Sequence, residues 1–159
     1  MLACVVAALG CFASQAHSAV TVYTDRAAWE AAVGGTFSEQ NFNSFTTGTS
    51  YQTVPVNVGD FSVSMTGSDF GFIWHNIGPD STGNNVNGTP QINAATGDVG
   101  GTTLAFTSAI YAFGGNWAGI SDGRTTSRDI DGTDFAIPNL NGGFWGVVSD
   151  APFSSSFLQ

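Results

Sequence analysis

At 159 residues the chain has the length of one domain, and only 9% of its residues are charged, against roughly a quarter in an ordinary globular protein. The chain has twelve acidic residues but only three arginines and no lysine, which gives a net charge of −9. Nucleic acids and anionic membranes are bound mainly through lysine and arginine, so this charge excludes both as partners. Neutral glycans, divalent cations or plain solubility are the remaining explanations of the acidic surface.

Residues 1–19 are predicted to form a signal peptide. Residues 2–13 are an apolar run, too short to span a bilayer, and the small residues Ala16 and Ser18 precede an expected cleavage site after Ser18 or Ala19. The basic residues that normally open such a peptide are missing. The alternative is a buried N-terminal helix or strand. Cleavage predicts a secreted or cell-surface protein whose mature chain does not insert into a membrane.

Both cysteines, Cys4 and Cys11, belong to the predicted signal peptide. The mature chain is therefore expected to contain no disulfide, no thiol nucleophile and no cysteine metal site. Residues 20–159 are predicted to form a single domain, because the chain shows no repeat and no interdomain linker.

The domain begins with a predicted strand and the one convincing helix. Residues 20–24 alternate β-branched and aromatic side chains, as strands do. Residues 25–35 are rich in alanine, with Asp25 or the threonine before it as the cap and Gly34 as the end. We expect Trp29 to lie on the face of this helix that docks on a sheet.

Beyond the helix the apolar residues recur with a period of two between glycine and proline turns. We expect a long exposed loop at 78–101 and a pair of strands within 101–113. Further strands are predicted at 69–75, 135–137, 144–148 and 153–158. Because only one helix is available for a crossover, the predicted fold class is all-β, an antiparallel β-sandwich or jelly roll with one short N-terminal helix.

Three stretches, residues 20–29, 104–117 and 143–155, together resemble exported bacterial proteins of the PEP-CTERM type. The resemblance implies a secreted β-sandwich of Gram-negative bacteria linked to exopolysaccharide or biofilm, without established catalytic residues. The chain stops at Gln159 with no Pro-Glu-Pro motif, membrane helix or basic tail. A C-terminal truncation that removes the sorting tail is therefore expected.

An acidic cluster is the best candidate for a metal site. Asp129, Asp131 and Asp134 follow a D-x-D-G-x-D spacing, and calcium prefers several anionic oxygens among its six to eight ligands. The glutamate that closes an EF-hand loop is missing. Calcium is the one candidate cofactor, and the alternative is an Asp-Gly hairpin turn at Asp131 and Gly132 with solvated charges.

Trp74, Trp117 and Asn116 are the candidate glycan-binding residues. Aromatic rings stack on the apolar faces of sugars while amide oxygens and nitrogens bind the hydroxyls, and both tryptophans adjoin loops rich in asparagine and glycine. The alternative for each tryptophan is packing in the core.

Catalytic machinery is not indicated. His75 is the one histidine of the mature chain, too few for a histidine zinc site, and no G-x-S-x-G motif accompanies it. The glutamates Glu30 and Glu39 fall on unrelated elements, which disfavours a glycosidase pair. The expected function is a non-catalytic exported protein of the exopolysaccharide or biofilm matrix, with polysaccharide as the candidate partner. The alternatives are a structural or adhesive matrix protein and a polysaccharide hydrolase.

Overall fold

The computed structural model describes residues 19–67, 75–79, 88–94, 100–118, 126–130, 132–138 and 142–158. These residues form one helix and ten strands, and the prediction of an all-β fold is confirmed. The closer assignment to a sandwich or jelly roll stays a prediction. The elements are β1 (Val20–Tyr23), α1 (Arg26–Val33), β2 (Thr49–Ser50), β3 (Val56–Asn57), β4 (Phe61–Gly67), β5 (Asn76–Gly78), β6 (Gln91–Asn93), β7 (Gly100–Trp117), β8 (Thr126–Ile130), β9 (Thr133–Ile137) and β10 (Gly143–Leu158).

Helix α1 forms where its end signals predict it. Asp25 is the N-cap, and its carboxylate accepts a hydrogen bond from the Ala28 N–H at 2.8 Å. Gly34 ends the helix in the left-handed conformation, with φ of 66°, which glycine adopts without a steric cost. Trp29 is buried and its indole Nε1 donates to the Val147 carbonyl at 3.0 Å. The predicted docking of the helix through Trp29 is confirmed.

The strands form two antiparallel sheets. Seven strands make the larger sheet in the order β3-β4-β7-β10-β8-β9, with β1 also paired to β10. Because β1 pairs with residues 146–149 of β10 and β8 with residues 157–158, these two strands lie along the same edge of β10, at its opposite ends. The smaller sheet has the order β2-β5-β6.

The central strands β7 and β10 are much longer than the sequence pattern suggests. The predicted pair of strands within 101–113 is wrong, because this segment lies in the single strand β7 of 18 residues. The separate strands predicted at 144–148 and 153–158 likewise belong to one strand, β10, of 16 residues. Polar residues in the middle of both segments resemble turns locally, yet the two strands remain paired with each other on either side of them.

Two compensating irregularities interrupt the pairing of these long strands. Between Val148 and Phe153, β10 advances five residues while its partners on β7 advance two. Between Phe153 and Ser155, β10 advances two residues and β7 advances five, which restores the original register. Pro152 lies in the first irregularity, where the absence of a backbone donor costs no regular ladder bond.

The irregularities allow the strand pair to bend. Phe106 and Phe113 are seven residues apart on β7, a separation of roughly 23 Å along an extended strand. Their rings nevertheless contact each other, with centroids 5.8 Å apart, and Phe153 lies 5.9 Å from Phe106. The two halves of β7 therefore turn toward one another around these phenylalanines.

The buried apolar side chains form two clusters. The first cluster is built mainly on β10 and the β8–β9 hairpin and contains Ile130, Ile137, Trp145, Val147, Phe153 and Leu158. The second cluster lies between β4, β7 and the smaller sheet and contains Tyr51, Val58, Val63, Ile77 and Leu104. Phe106 and Phe113 pack against both clusters, so the two are continuous through the bend.

A buried polar network ties the smaller sheet to β7. The Tyr51 hydroxyl donates to the Asn93 carbonyl at 2.7 Å and lies 3.1 Å from the Thr102 hydroxyl. The Asn93 amide donates to the Asn76 side chain at 3.1 Å and accepts from Gln91 at 2.9 Å. The prediction of a long exposed loop at 78–101 is thus wrong for β6, which is a strand whose polar side chains form hydrogen bonds within the fold.

Candidate functional site

The β8–β9 hairpin carries the acidic residues that the sequence suggests as calcium ligands. Asp129 and Asp134 are directly opposite each other in the ladder, which ends at the pair of Ile130 and Thr133, and Gly132 before Thr133 has φ of 75°. Asp131 and the side chain of Asp129 lie outside the described residues. Across the part of the chain that the structure describes, no group of three metal-ligating side chains comes together. The calcium site stays a prediction.

Two of the three predicted glycan-binding residues, Asn116 and Trp117, lie on different faces of the larger sheet. Trp74 lies outside the described residues. Trp117 is half-buried, contacts the Trp145 ring edge-on at 6.1 Å and donates through its Nε1 to the Trp145 carbonyl at 3.3 Å. Asn116 is exposed and precedes Trp117 on β7, so the two side chains point to opposite faces. The structure does not bring Asn116 and Trp117 together, and Trp117's role in glycan binding stays a prediction.

Near Asn116 and Trp117 the β7–β10 pair has two faces, here called the core face and the helix face. The core face carries Trp145, Val147 and Trp117 and packs into the first cluster. The helix face carries Asn116 and Phe144, which are directly opposite each other in the ladder, and is covered in part by α1.

An aromatic patch, made of Trp29, Phe37 and Phe144, lies on the helix face. The Trp29 ring contacts Phe144 with centroids 5.5 Å apart and contacts Phe37 edge-on at 5.3 Å. Phe37 remains 39% exposed, Phe144 is half-buried, and the exposed amide of Asn116 lies across the ladder from Phe144. Partly exposed rings and an exposed amide therefore share the helix face, with Asn116 paired to Phe144 in the ladder.

Two glycines make room for this patch. Gly114 and Gly146 are paired across the ladder on the helix face. A β-carbon on Gly114 would lie 2.6 Å from the Phe144 ring and 3.3 Å from the Trp29 ring, and one on Gly146 would lie 3.0 Å from Phe144. The aromatic rings can lie close to the sheet only because both positions lack a side chain.

The charges near the patch are mostly negative. Arg26, on α1, pairs with Glu30 at 2.7 Å and also with Glu39. Its hydrogen bonds to Glu30 and then to Glu39 raise the pKa of the Arg26 guanidinium above its usual value. Arg26 is the cationic residue whose side chain the structure describes, and both of its partners are acidic. Its charge is thus already neutralised within the protein.

Comparison with known proteins identifies no relative. No protein-family model matches the chain, and neither a curated protein nor a solved structure matches it. Among the described residues, no helix is long and apolar enough to cross a membrane.

His75 is placed in the interior. Its side chain is fully buried immediately before β5 and meets the Tyr51 ring edge-on, with ring centroids 5.8 Å apart, while the His75 carbonyl accepts a hydrogen bond from the Tyr51 N–H at 3.1 Å. This arrangement makes the histidine part of the packing between the smaller sheet and β7.

Sequence reasoning did not identify Phe37 and Phe144 as site residues. Phenylalanines are so frequent here that composition alone cannot separate surface rings from core rings. The signal that could have found them is glycine in the middle of strand patterns, at Gly114 and Gly146, since such a glycine marks a close approach of another group.

Proposed function

We propose that this chain is a non-catalytic, exported extracellular or cell-surface protein that binds glycan through the aromatic patch and Asn116, and so associates with an exopolysaccharide matrix. The observation that carries the proposal is that the exposed Asn116 lies opposite the half-buried Phe144 in the ladder, while the partly exposed Phe37 contacts the same Trp29 ring as Phe144. Export is supported by the sequence pattern of residues 1–19.

The chemistry of this surface suits a sugar. The C–H faces of a pyranose ring pack on aromatic rings, and hydroxyl groups need donors and acceptors within reach of the same ring. The Asn116 amide supplies both a donor and an acceptor. Because it lies on a strand rather than a loop, its backbone position is held by the ladder with β10.

The charge balance favours a neutral glycan over a uronic-acid or sulfated one. The net charge is −9, and Arg26 is already paired with Glu30 and Glu39. An anionic polysaccharide would therefore bring its charges toward a surface of the same sign.

The test is a binding assay on a panel of neutral and anionic polysaccharides, by affinity electrophoresis and calorimetry with the full chain. We expect binding to one or more neutral glycans, and about a tenfold weaker affinity for Asn116→Ala and for Phe37→Ala, which is about 1.4 kcal/mol for each. Asn43→Ala removes an exposed amide next to Phe42, which packs against the second cluster and not in the aromatic patch, and is the matched control; it should bind like the wild type.

Two results would contradict the proposal. A correctly folded chain that binds no glycan would favour a structural or adhesive matrix protein. Release of reducing ends from a polysaccharide, abolished by replacing one acidic residue, would favour a hydrolase. Repeating the assay with EDTA separates direct glycan binding from binding that depends on calcium at the β8–β9 hairpin.

A further inference from the structure

The first residue that the structure describes, Ala19, makes an unusual pair with Asp150. The Ala19 N–H donates to the Asp150 carboxylate Oδ1 at 2.8 Å, and the Asp150 N–H donates to the Ala19 carbonyl at 3.1 Å. The ladder between β1 and β10 continues from Val20 opposite Ser149. At its outer end, a side-chain carboxylate thus accepts the hydrogen bond that a backbone carbonyl accepts in a regular antiparallel pair.

No cationic side chain within the described part of the chain pairs with Asp150. Arg26 forms its ion pairs with Glu30 and Glu39 instead. A peptide N–H forms a charge-assisted hydrogen bond with an ionised carboxylate but brings no charge of its own, whereas an ammonium group at the same place would add the attraction between two opposite charges.

The geometry points to the Ser18–Ala19 bond as the processing site, so that the α-ammonium group of Ala19 forms an ion pair with Asp150 in the mature protein. Cleavage here places the small residues Ala16 and Ser18 third and first before the cut, as leader peptidases require. Cleavage one residue later would place His17 third before the cut and would remove Ala19 with both of its bonds to Asp150.

The step is an ordinary hydrolysis by a leader peptidase. Water adds to the Ser18 carbonyl carbon, the bond to the Ala19 nitrogen breaks, and the nitrogen leaves as an amine. The leader keeps a Ser18 carboxylate, and the Ala19 amine takes up a proton near neutral pH, because a free α-amine has a pKa of roughly 7.7–8.0. This inference rests on the proposed export of the chain.

Processing therefore changes the chemistry of the edge strand β1. Before the cut, Asp150 accepts one amide hydrogen bond; after it, the same carboxylate holds a charge of opposite sign and anchors the start of β1 to β10. Both groups are exposed, so the added stabilisation is local, modest and sensitive to salt.

The first experiment identifies the cut. The full chain is incubated with purified bacterial leader peptidase in detergent micelles, and the product is analysed by intact mass and N-terminal sequencing. We expect Ala19 as the first residue. Cleavage at another bond overturns this inference but leaves export standing, whereas a chain that is not cut at all overturns both.

The second experiment tests the ion pair. Hydrogen exchange of the β1 amides is measured for the wild type and Asp150→Asn, each as processed protein and as a chain whose cleavage is blocked by Ser18→Phe. In the processed protein, Asp150→Asn should accelerate exchange roughly two- to fivefold at low salt, with the difference fading at about 1 M salt. The blocked chain should change less than twofold. Equal acceleration in both forms would show that Asp150 serves only as an amide acceptor, and would overturn the ion pair.

Discussion

The two faces of the β7–β10 pair differ in how completely they are closed. On the core face, Trp145 and Val147 are both 0% exposed. On the helix face, one strand position away, Phe144 is half-buried, Phe37 is 39% exposed and Asn116 is open to solvent. Adjacent residues of the same strands therefore differ sharply in their exposure to solvent.

The difference follows from what covers each face. The core face packs against the β8–β9 hairpin and the bent half of β7, which together surround its side chains. The helix face is covered by α1, whose eight residues make a cylinder only about 12 Å long. A helix of that length buries Trp29 but leaves Phe37 and Phe144 partly exposed at its edge. The core face therefore contributes buried apolar area to stability, while the helix face keeps side chains that are accessible from solvent.

The largest effect should come from truncating the core face. Trp145→Ala should lower the free energy of unfolding by about 3–5 kcal/mol, because it removes a fully buried ring and leaves a cavity. Phe144→Ala, on the neighbouring half-buried position, should cost about half as much. Urea denaturation followed by far-UV circular dichroism measures both. Equal losses for the two variants would mean that the two faces are packed equally tightly, and would contradict the proposed difference between them.

A smaller effect should separate two consecutive glycines. In Gly114→Ala the new methyl group meets the Phe144 ring at 2.6 Å, so we expect a loss of about 1–3 kcal/mol in the free energy of unfolding. Gly115→Ala is the matched control, since its methyl group would have Trp117 Nε1 as its nearest contact at 3.9 Å. The control should stay within about 0.5 kcal/mol of the wild type. A larger loss for Gly115→Ala than for Gly114→Ala would mean that the aromatic patch lies on the core face and not on the helix face.

The smallest effect should come from loosening the cover of the helix face. Asp25→Ala removes the carboxylate that caps α1 and should cost about 1 kcal/mol, with faster hydrogen exchange in α1 than in β10. Asp25→Asn keeps a capping oxygen and should remain close to the wild type. Uniform acceleration of exchange in α1 and β10 would show that the helix is integral to the core and not a separate cover.

The parts of the fold that the sequence predicted correctly are those with local signals. The limits of α1 follow from Asp25 and Gly34, and the position of β1 follows from the alternation of its side chains. The joining of two predicted strands into β7, and of two into β10, was missed because the intervening polar residues look like turns. Only the long partner strand holds these segments extended. Of the residues in the proposed site, the sequence singled out Asn116 from its aromatic and glycine neighbours but did not single out Phe37 or Phe144.

The sequence by itself therefore determined the all-β class, the helix α1 with its ends, and an acidic composition poor in cations. Capping, turn geometry and charge act within a few residues, so they can be read without the fold. The tertiary structure alone decided the bend of β7, the position of Phe144 opposite Asn116 in the ladder, and the pairing of Ala19 with Asp150. These contacts join residues up to 131 positions apart, and strand register over such distances is set by which side chains pack together, information that no local pattern contains.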